Sequence, residues 1–116
     1  FNYLHVTCGG RTLLRRRGER DIWQGLYEFP MIETDHAADF SELTGSEGFR
    51  TLLGGVEWRL LRSVGMAKHQ LSHQTLHAVF HRIETSSPVD FPSVPTVSLG
   101  DYAVPRLIDR YLDRQS

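Results

Sequence analysis

Alternation of apolar and polar residues predicts strands along much of this chain. The pattern occupies four stretches, at residues 2–8, 11–17, 56–71 and 75–84. Gly9 and Gly10 separate the first two stretches and are typical of a tight turn between paired strands. The third stretch is predicted as two strands that meet near Gly65. The fourth (TLHAVFHRIE) has the clearest strand pattern in the chain.

Two regions have helical spacing instead. Between residues 35 and 55, Asp39 and Ser46 are predicted N-caps of two short helices. Asp101 is predicted to cap a final helix, whose apolar positions are spaced to pack on a sheet: Leu107, Ile108, Tyr111 and Leu112. Many strands with one central and one C-terminal helical region predict an α+β fold, with helices packed on a mixed sheet. The 116 residues suit a single domain.

Composition excludes several classes of protein. No apolar run reaches the length of a membrane span, and the first residues lack the layout of a signal peptide. A single cysteine allows no disulfide and suits a cytoplasmic protein. The net charge of -1 argues against non-specific binding of nucleic acid. However, residues 58–82 contain no Asp or Glu and contain four basic residues, Arg59, Arg62, Lys68 and Arg82.

The same stretch carries histidines at intervals of four: His69, His73, His77 and His81. A zinc site at this spacing requires a helix, whereas the polarity pattern favours a strand, and no carboxylate lies between Glu57 and Glu84. We therefore expect no metal site. Ser72 and His73 are neighbours on an extended chain and point apart, so we expect no catalytic pair. His77 and His81 are predicted as half-buried residues on one face of a strand.

Residues 70–74 (QLSHQ) have the composition of a turn-forming loop. Ser72 can offer its hydroxyl and its backbone N–H there, with Lys68, His69 and His73 as flanking donors. Leu71 can act as an apolar wedge or as a packing partner. Such a loop is suited to a base edge or a phosphate.

Three segments, at residues 12–33, 68–84 and 97–112, resemble in that order the C-terminal domain of MutY-type adenine DNA glycosylases. The resemblance spans essentially the whole chain, residues 1–116, and implies a Nudix (MutT-like) fold. The parent enzymes belong to base excision repair and remove adenine mispaired with 8-oxoguanine in double-stranded DNA. Their glycosylase domain, with its iron–sulfur cluster, precedes this domain. The resemblance therefore implies an isolated recognition domain that is inactive alone, carries no cofactor and acts on DNA in the cytoplasm beside the glycosylase domain.

In that family a Phe-Ser-His loop reaches the 8-oxoguanine, and the matching residues are Leu71, Ser72 and His73. The resemblance implies that Ser72 bonds at the altered base edge. Leucine keeps an apolar wedge but loses the stacking area of the family's phenylalanine. Phosphate contacts are expected at two residues beside the loop and at two further arginines: Lys68, His69, Arg59 and Arg62.

Two alternative functions remain open at this stage. Nudix hydrolases hold magnesium with several glutamates of one motif, but the corresponding stretch here, near residues 46–51, contains only Glu47. A pyrophosphohydrolase with a degenerate site is the first alternative. An interaction module whose basic patch docks a partner domain is the second.

Overall fold

The computed structural model describes residues 1–17, 25–34, 39–69 and 75–115, apart from the side chains of residues 67–69, 75, 76 and 115. Within these ranges lie the strands β1 Asn2–Cys8, β2 Arg11–Leu13, β3 Arg15–Arg16, β4 Tyr27–Glu28, β5 Met31–Ile32, β6 Trp58–His69, β7 Thr75–Thr85 and β8 Ser93–Pro95. The helices are α1 Phe40–Thr44, α2 Glu47–Leu53, a 3₁₀ helix Thr96–Asp101 and α3 Arg106–Gln115. No described helix is long and apolar enough to cross a bilayer.

Six of the described strands form one mixed sheet, in the order β6–β7–β1–β2–β8, with β5 also beside β1. Strands β6 and β7 are antiparallel, whereas β7 and β1 run parallel. Asn2 and Tyr3 pair with β5, and Thr7 and Cys8 pair with β2, so β1 lies in the middle of the sheet. Strand β6 lies at one edge. Strands β3 and β4 form a separate two-stranded sheet.

One face of the large sheet packs against α3. The Phe80 ring stacks between Tyr3 and Tyr111, with centroid distances of 4.9 and 4.1 Å. The buried residues of this face are Tyr3, Leu14, Phe29, Met66, Ala78, Phe80, Val94, Leu107, Ile108 and Tyr111. The predicted packing of the last helix through Leu107, Ile108 and Tyr111 is therefore confirmed.

The opposite face packs against α1 and α2. Its buried residues are Leu4, Val6, Leu13, Leu43, Phe49, Leu53 and Ile83. Both predicted N-caps are confirmed, because Asp39 Oδ1 accepts from the Glu42 amide at 2.8 Å and Ser46 Oγ from the Phe49 amide at 3.3 Å. The predicted α+β architecture, a mixed sheet flanked by helices, is thus the one observed.

Three details of the sequence prediction are wrong. Residues 58–69 form one strand that passes through Gly65, and its irregularity lies between Leu60 and Arg62, where the register with β7 shifts. The second predicted strand breaks at Leu14 into β2 and β3. The last helix begins at Arg106 rather than after Asp101, because a residue that precedes proline, here Val104, is disfavoured in the helical region.

Candidate functional site

The hairpin of β6 and β7 carries most of the residues predicted to bind. Lys68 and His69 are the last two residues of β6 and pair with Leu76 and Thr75 at the start of β7. The backbone of these two predicted contacts is thus next to the connection at residues 70–74. Leu71, Ser72 and His73 lie outside the described residues, as do the side chains of Lys68 and His69.

Arg59 lies near the opposite end of the hairpin. Its guanidinium Nη2 is 3.2 Å from Glu84 Oε1, and the two side chains are 71% and 50% exposed. An ion pair with this exposure contributes about 0–1 kcal/mol to stability, so it does not lock the arginine in place. It does, however, offset the positive charge of Arg59 locally.

Arg62 has a different environment. It follows the register shift in β6 and lies directly opposite Arg82 of β7. Arg82 Nη1 donates to Thr7 Oγ1 at 2.8 Å, while the Arg62 side chain is exposed. The basic residues of the hairpin were visible in the sequence, but their juxtaposition was not, because it depends on a register that the shift near Leu61 determines.

The histidines of the hairpin have contrasting surroundings. His77 and His81 share one face of β7, as predicted, but His77 is exposed and His81 is buried at 3% exposure. His81 Nδ1 lies 2.7 Å from Ser63 Oγ, and burial lowers its pKa. Its Nε2 is buried without a partner among the described residues. Neither residue is half-buried, and no three metal-ligating side chains of the described ranges cluster together.

A third histidine, His5, lies on the α3 face beside Arg82. The two residues are register partners in the parallel pair of β1 and β7. The His5 ring stacks on Phe29 at 4.7 Å, and its Nδ1 is 2.7 Å from Tyr111 Oη. Burial, with the charges of Arg82 and Arg62 added to it, lowers the pKa of His5 to about 3. His5 is therefore neutral near pH 7 and does not contribute to the positive charge of the hairpin.

A separate cleft of about 500 Å³ opens between β5, α2 and the segment at residues 90–91. Its wall includes Phe91, over which the Arg15 guanidinium lies at 5.0 Å from the ring centroid. The lining residues are Leu4, Arg15, Pro30, Met31, Ile32, Glu47, Gly48, Thr51, Leu52, Asp90 and Phe91. The sequence analysis identified Glu47 only as the single acid of the stretch that corresponds to the hydrolase motif. It missed Asp90, which lines the same cleft from a segment distant in the sequence.

The family model described as "NUDIX domain" matches residues 2–114. The chain belongs to the Nudix family. A crystal structure of a Nudix hydrolase from M. smegmatis, RenU, is similar to it, with a TM-score of 0.64 and 12% sequence identity over 97% of this chain and 85% of that one. At this identity the similarity shows a shared fold. No curated protein matches the sequence.

Within this Nudix domain, α2 occupies the stretch where the sequence analysis looked for the glutamates of the hydrolase motif. Of its residues, Glu47, Gly48, Thr51 and Leu52 line the cleft. Glu47 is the one carboxylate that α2 contributes, and Asp90 supplies a second from outside the helix. Among the described residues that line the cleft, these two carboxylates are fewer than the glutamate set with which Nudix hydrolases hold magnesium for polyphosphate chemistry.

Proposed function

We propose that this Nudix domain recognises 8-oxoguanine opposite adenine in DNA, as the C-terminal domain of a MutY-type adenine glycosylase, and that it has no catalytic activity of its own. The observation that carries the proposal is the hairpin of β6 and β7. It carries along its length the basic residues of a stretch without Asp or Glu, residues 58–82, and its two strands are joined by the segment that matches the family's lesion-reading loop. The motif order along the whole chain supports the same family.

The proposal assigns separate roles along the hairpin. Ser72 exchanges a hydrogen bond with the 8-oxoguanine edge, while Leu71 and His73 shape the contact. Lys68 and His69 meet the phosphates beside the lesion. Arg59 and Lys68 are nine positions apart along β6, which is about 30 Å at the rise of a β-strand. That length is close to one helical turn of B-DNA, about 34 Å, so the hairpin can contact phosphates at both of its ends.

The loop assignment is tested in the full-length glycosylase. Ser72→Ala and His73→Ala are compared with His77→Ala, which removes an exposed histidine from the same hairpin. The assay measures excision of adenine from duplexes with 8-oxoguanine:adenine and guanine:adenine pairs. Loss of one hydrogen bond of about 0.5–1.5 kcal/mol predicts a two- to tenfold loss of discrimination for Ser72→Ala. Discrimination equal to that of His77→Ala would refute the assignment.

A Nudix pyrophosphohydrolase is the second candidate, and the cleft beside α2 favours it. A volume of about 500 Å³ with Glu47 and Asp90 in its lining is large enough for a nucleotide. Magnesium-dependent hydrolysis of nucleoside triphosphates by this chain decides between the two functions. The recognition proposal expects no turnover above that of the Glu47→Gln variant. Turnover that disappears in Glu47→Gln would establish the hydrolase instead.

A further inference from the structure

Two arginines face each other across the edge of the large sheet. Arg62 in the edge strand β6 is the direct cross-strand partner of Arg82 in β7. Direct cross-strand partners project from the same face with Cβ atoms about 5 Å apart, and like charges at such positions destabilise a sheet. This arrangement therefore requires a compensating interaction, either within the domain or with a ligand.

The described residues provide no carboxylate within ion-pair distance of either arginine. Neither Arg62 nor Arg82 forms an ion pair among them, whereas Arg59 in the same strand is paired with Glu84. The next residue across the sheet is His5, whose low pKa keeps it uncharged. His5 therefore neither adds to nor offsets the positive charge of the two arginines. Two positive charges thus remain side by side at a sheet edge that has no further strand beside it among the described residues.

The pair is also partly preorganised. Arg82 Nη1 donates to Thr7 Oγ1 at 2.8 Å and lies 3.5 Å from the carbonyl oxygens of His5 and Ile83. The guanidinium has five N–H donors, and those on Nε and Nη2 have no partner among the described residues. Arg62 is exposed and has no hydrogen-bond partner among the described side chains. Guanidinium groups present planar forks that match the oxygens of a phosphate, and charge-assisted bonds of this kind are about twice as strong as neutral ones.

We infer that Arg62 and Arg82 together form a phosphate-binding site at the β6 edge of the sheet. A phosphate bridging the two guanidinium groups replaces their repulsion with attraction to a shared anion. If the proposed function is correct, on which this part rests, the phosphate belongs to the backbone of duplex DNA. Of the two arginines first suggested as phosphate contacts, Arg62 is the one that has no ion-pair partner among the described residues, and Arg82 is an additional contact.

The site is tested first with inorganic phosphate. Titration of the labelled domain, followed by NMR at the arginine Nε–H groups, is expected to shift the signals of Arg62 and Arg82 together and saturably. Arg50, an exposed arginine of α2, is the reference signal. If Arg62 and Arg82 respond no more than Arg50, the site is refuted.

The source of the phosphate is tested with a duplex of 20 base pairs. A phosphate contact on B-DNA contributes about 0.9 to the slope of log K against log salt concentration. Arg62→Gln is therefore expected to reduce the slope by about 0.9, while Arg50→Gln, with the same change of net charge, leaves it unchanged. Binding of inorganic phosphate without binding of DNA supports the site and contradicts the DNA-binding proposal. DNA binding with an unchanged slope in Arg62→Gln contradicts the inference and leaves that proposal intact.

Arg62→Glu separates a binding role from a structural one. The substitution turns the repulsive cross-strand pair into an attractive one, so the Tm is expected to rise by about 1–5 °C. The same variant is expected to lose the phosphate response at Arg82. A lower Tm in Arg62→Glu, with phosphate binding retained at Arg82, would show that Arg62 supports the fold and binds no anion.

Discussion

Acidification is expected to destabilise this domain through His5. The residue is 6% exposed, stacks on Phe29 and bonds with Tyr111, in the middle of the face that α3 covers. Burial is the main cause of its low pKa, about 3, and the charges of Arg82 and Arg62 lower it further. In the unfolded chain a histidine has a pKa of about 6.5, so the folded and unfolded states differ in proton affinity over a wide range of pH.

The sign and size of the effect follow from that difference. Below about pH 6.5 the unfolded chain binds a proton that folded His5 does not, so the free energy of unfolding decreases as the pH falls, until about pH 3. One pKa unit corresponds to about 1.36 kcal/mol, so a change from pH 7 to pH 5 removes about 2 kcal/mol. The whole free energy of unfolding of a domain is about 5–15 kcal/mol, so this loss is a considerable fraction of it. His81, whose pKa burial also lowers, acts in the same direction.

Urea unfolding at pH 7 and pH 5 measures this loss directly. His5→Gln has no imidazole at this position and is expected to lose about 2 kcal/mol less than the wild type between the two pH values. His77→Gln, which removes an exposed imidazole, is the matched control. NMR titration of the His5 ring provides a second reading, with no protonation expected above pH 5. Equal pH dependence in His5→Gln and the wild type, or a ring that titrates near 6.5, would refute the reasoning.

Three further substitutions test the packing that holds the hairpin and helices, each measured by urea unfolding at pH 7. Ser46→Ala removes the cap of α2 and is expected to cost about 1 kcal/mol; restoration by Ser46→Asp distinguishes a capping role from a packing one. Ser63→Ala leaves buried His81 without its partner and is expected to cost about 1–3 kcal/mol; a neutral result would show that His81 has another partner. Phe80→Ala empties the space between two stacked tyrosines, at an expected cost of about 3–5 kcal/mol; a loss below 1 kcal/mol would contradict its central position.

More of the fold than of the candidate site could be predicted from the sequence. Residues 2–8 and 75–84 alternate in polarity, and the caps Asp39 and Ser46 precede apolar residues at helical spacing, so local rules sufficed for them. The start of the last helix was wrong because the Asp101 signal competed with the backbone restriction that Pro105 imposes. The pairing of Arg62 with Arg82 could not be read from the sequence. It depends on a register shift, and a shift by one residue moves every side chain of a strand to the other face.

Separation of roles on α2 allows the cleft of this Nudix domain to change while the fold is kept. Phe49 and Leu53 are buried against the sheet, whereas Glu47 and Thr51 line the cleft on a different side of the same helix. Substitutions on the cleft side leave the buried side unchanged, so the number of carboxylates there can change at little cost to stability. Membership in the Nudix family therefore determines the buried core of the domain but does not determine its activity. The function has to be inferred from charged residues outside the core, and Arg62 and Arg82, which have no ion-pair partner among the described residues, are the clearest of these.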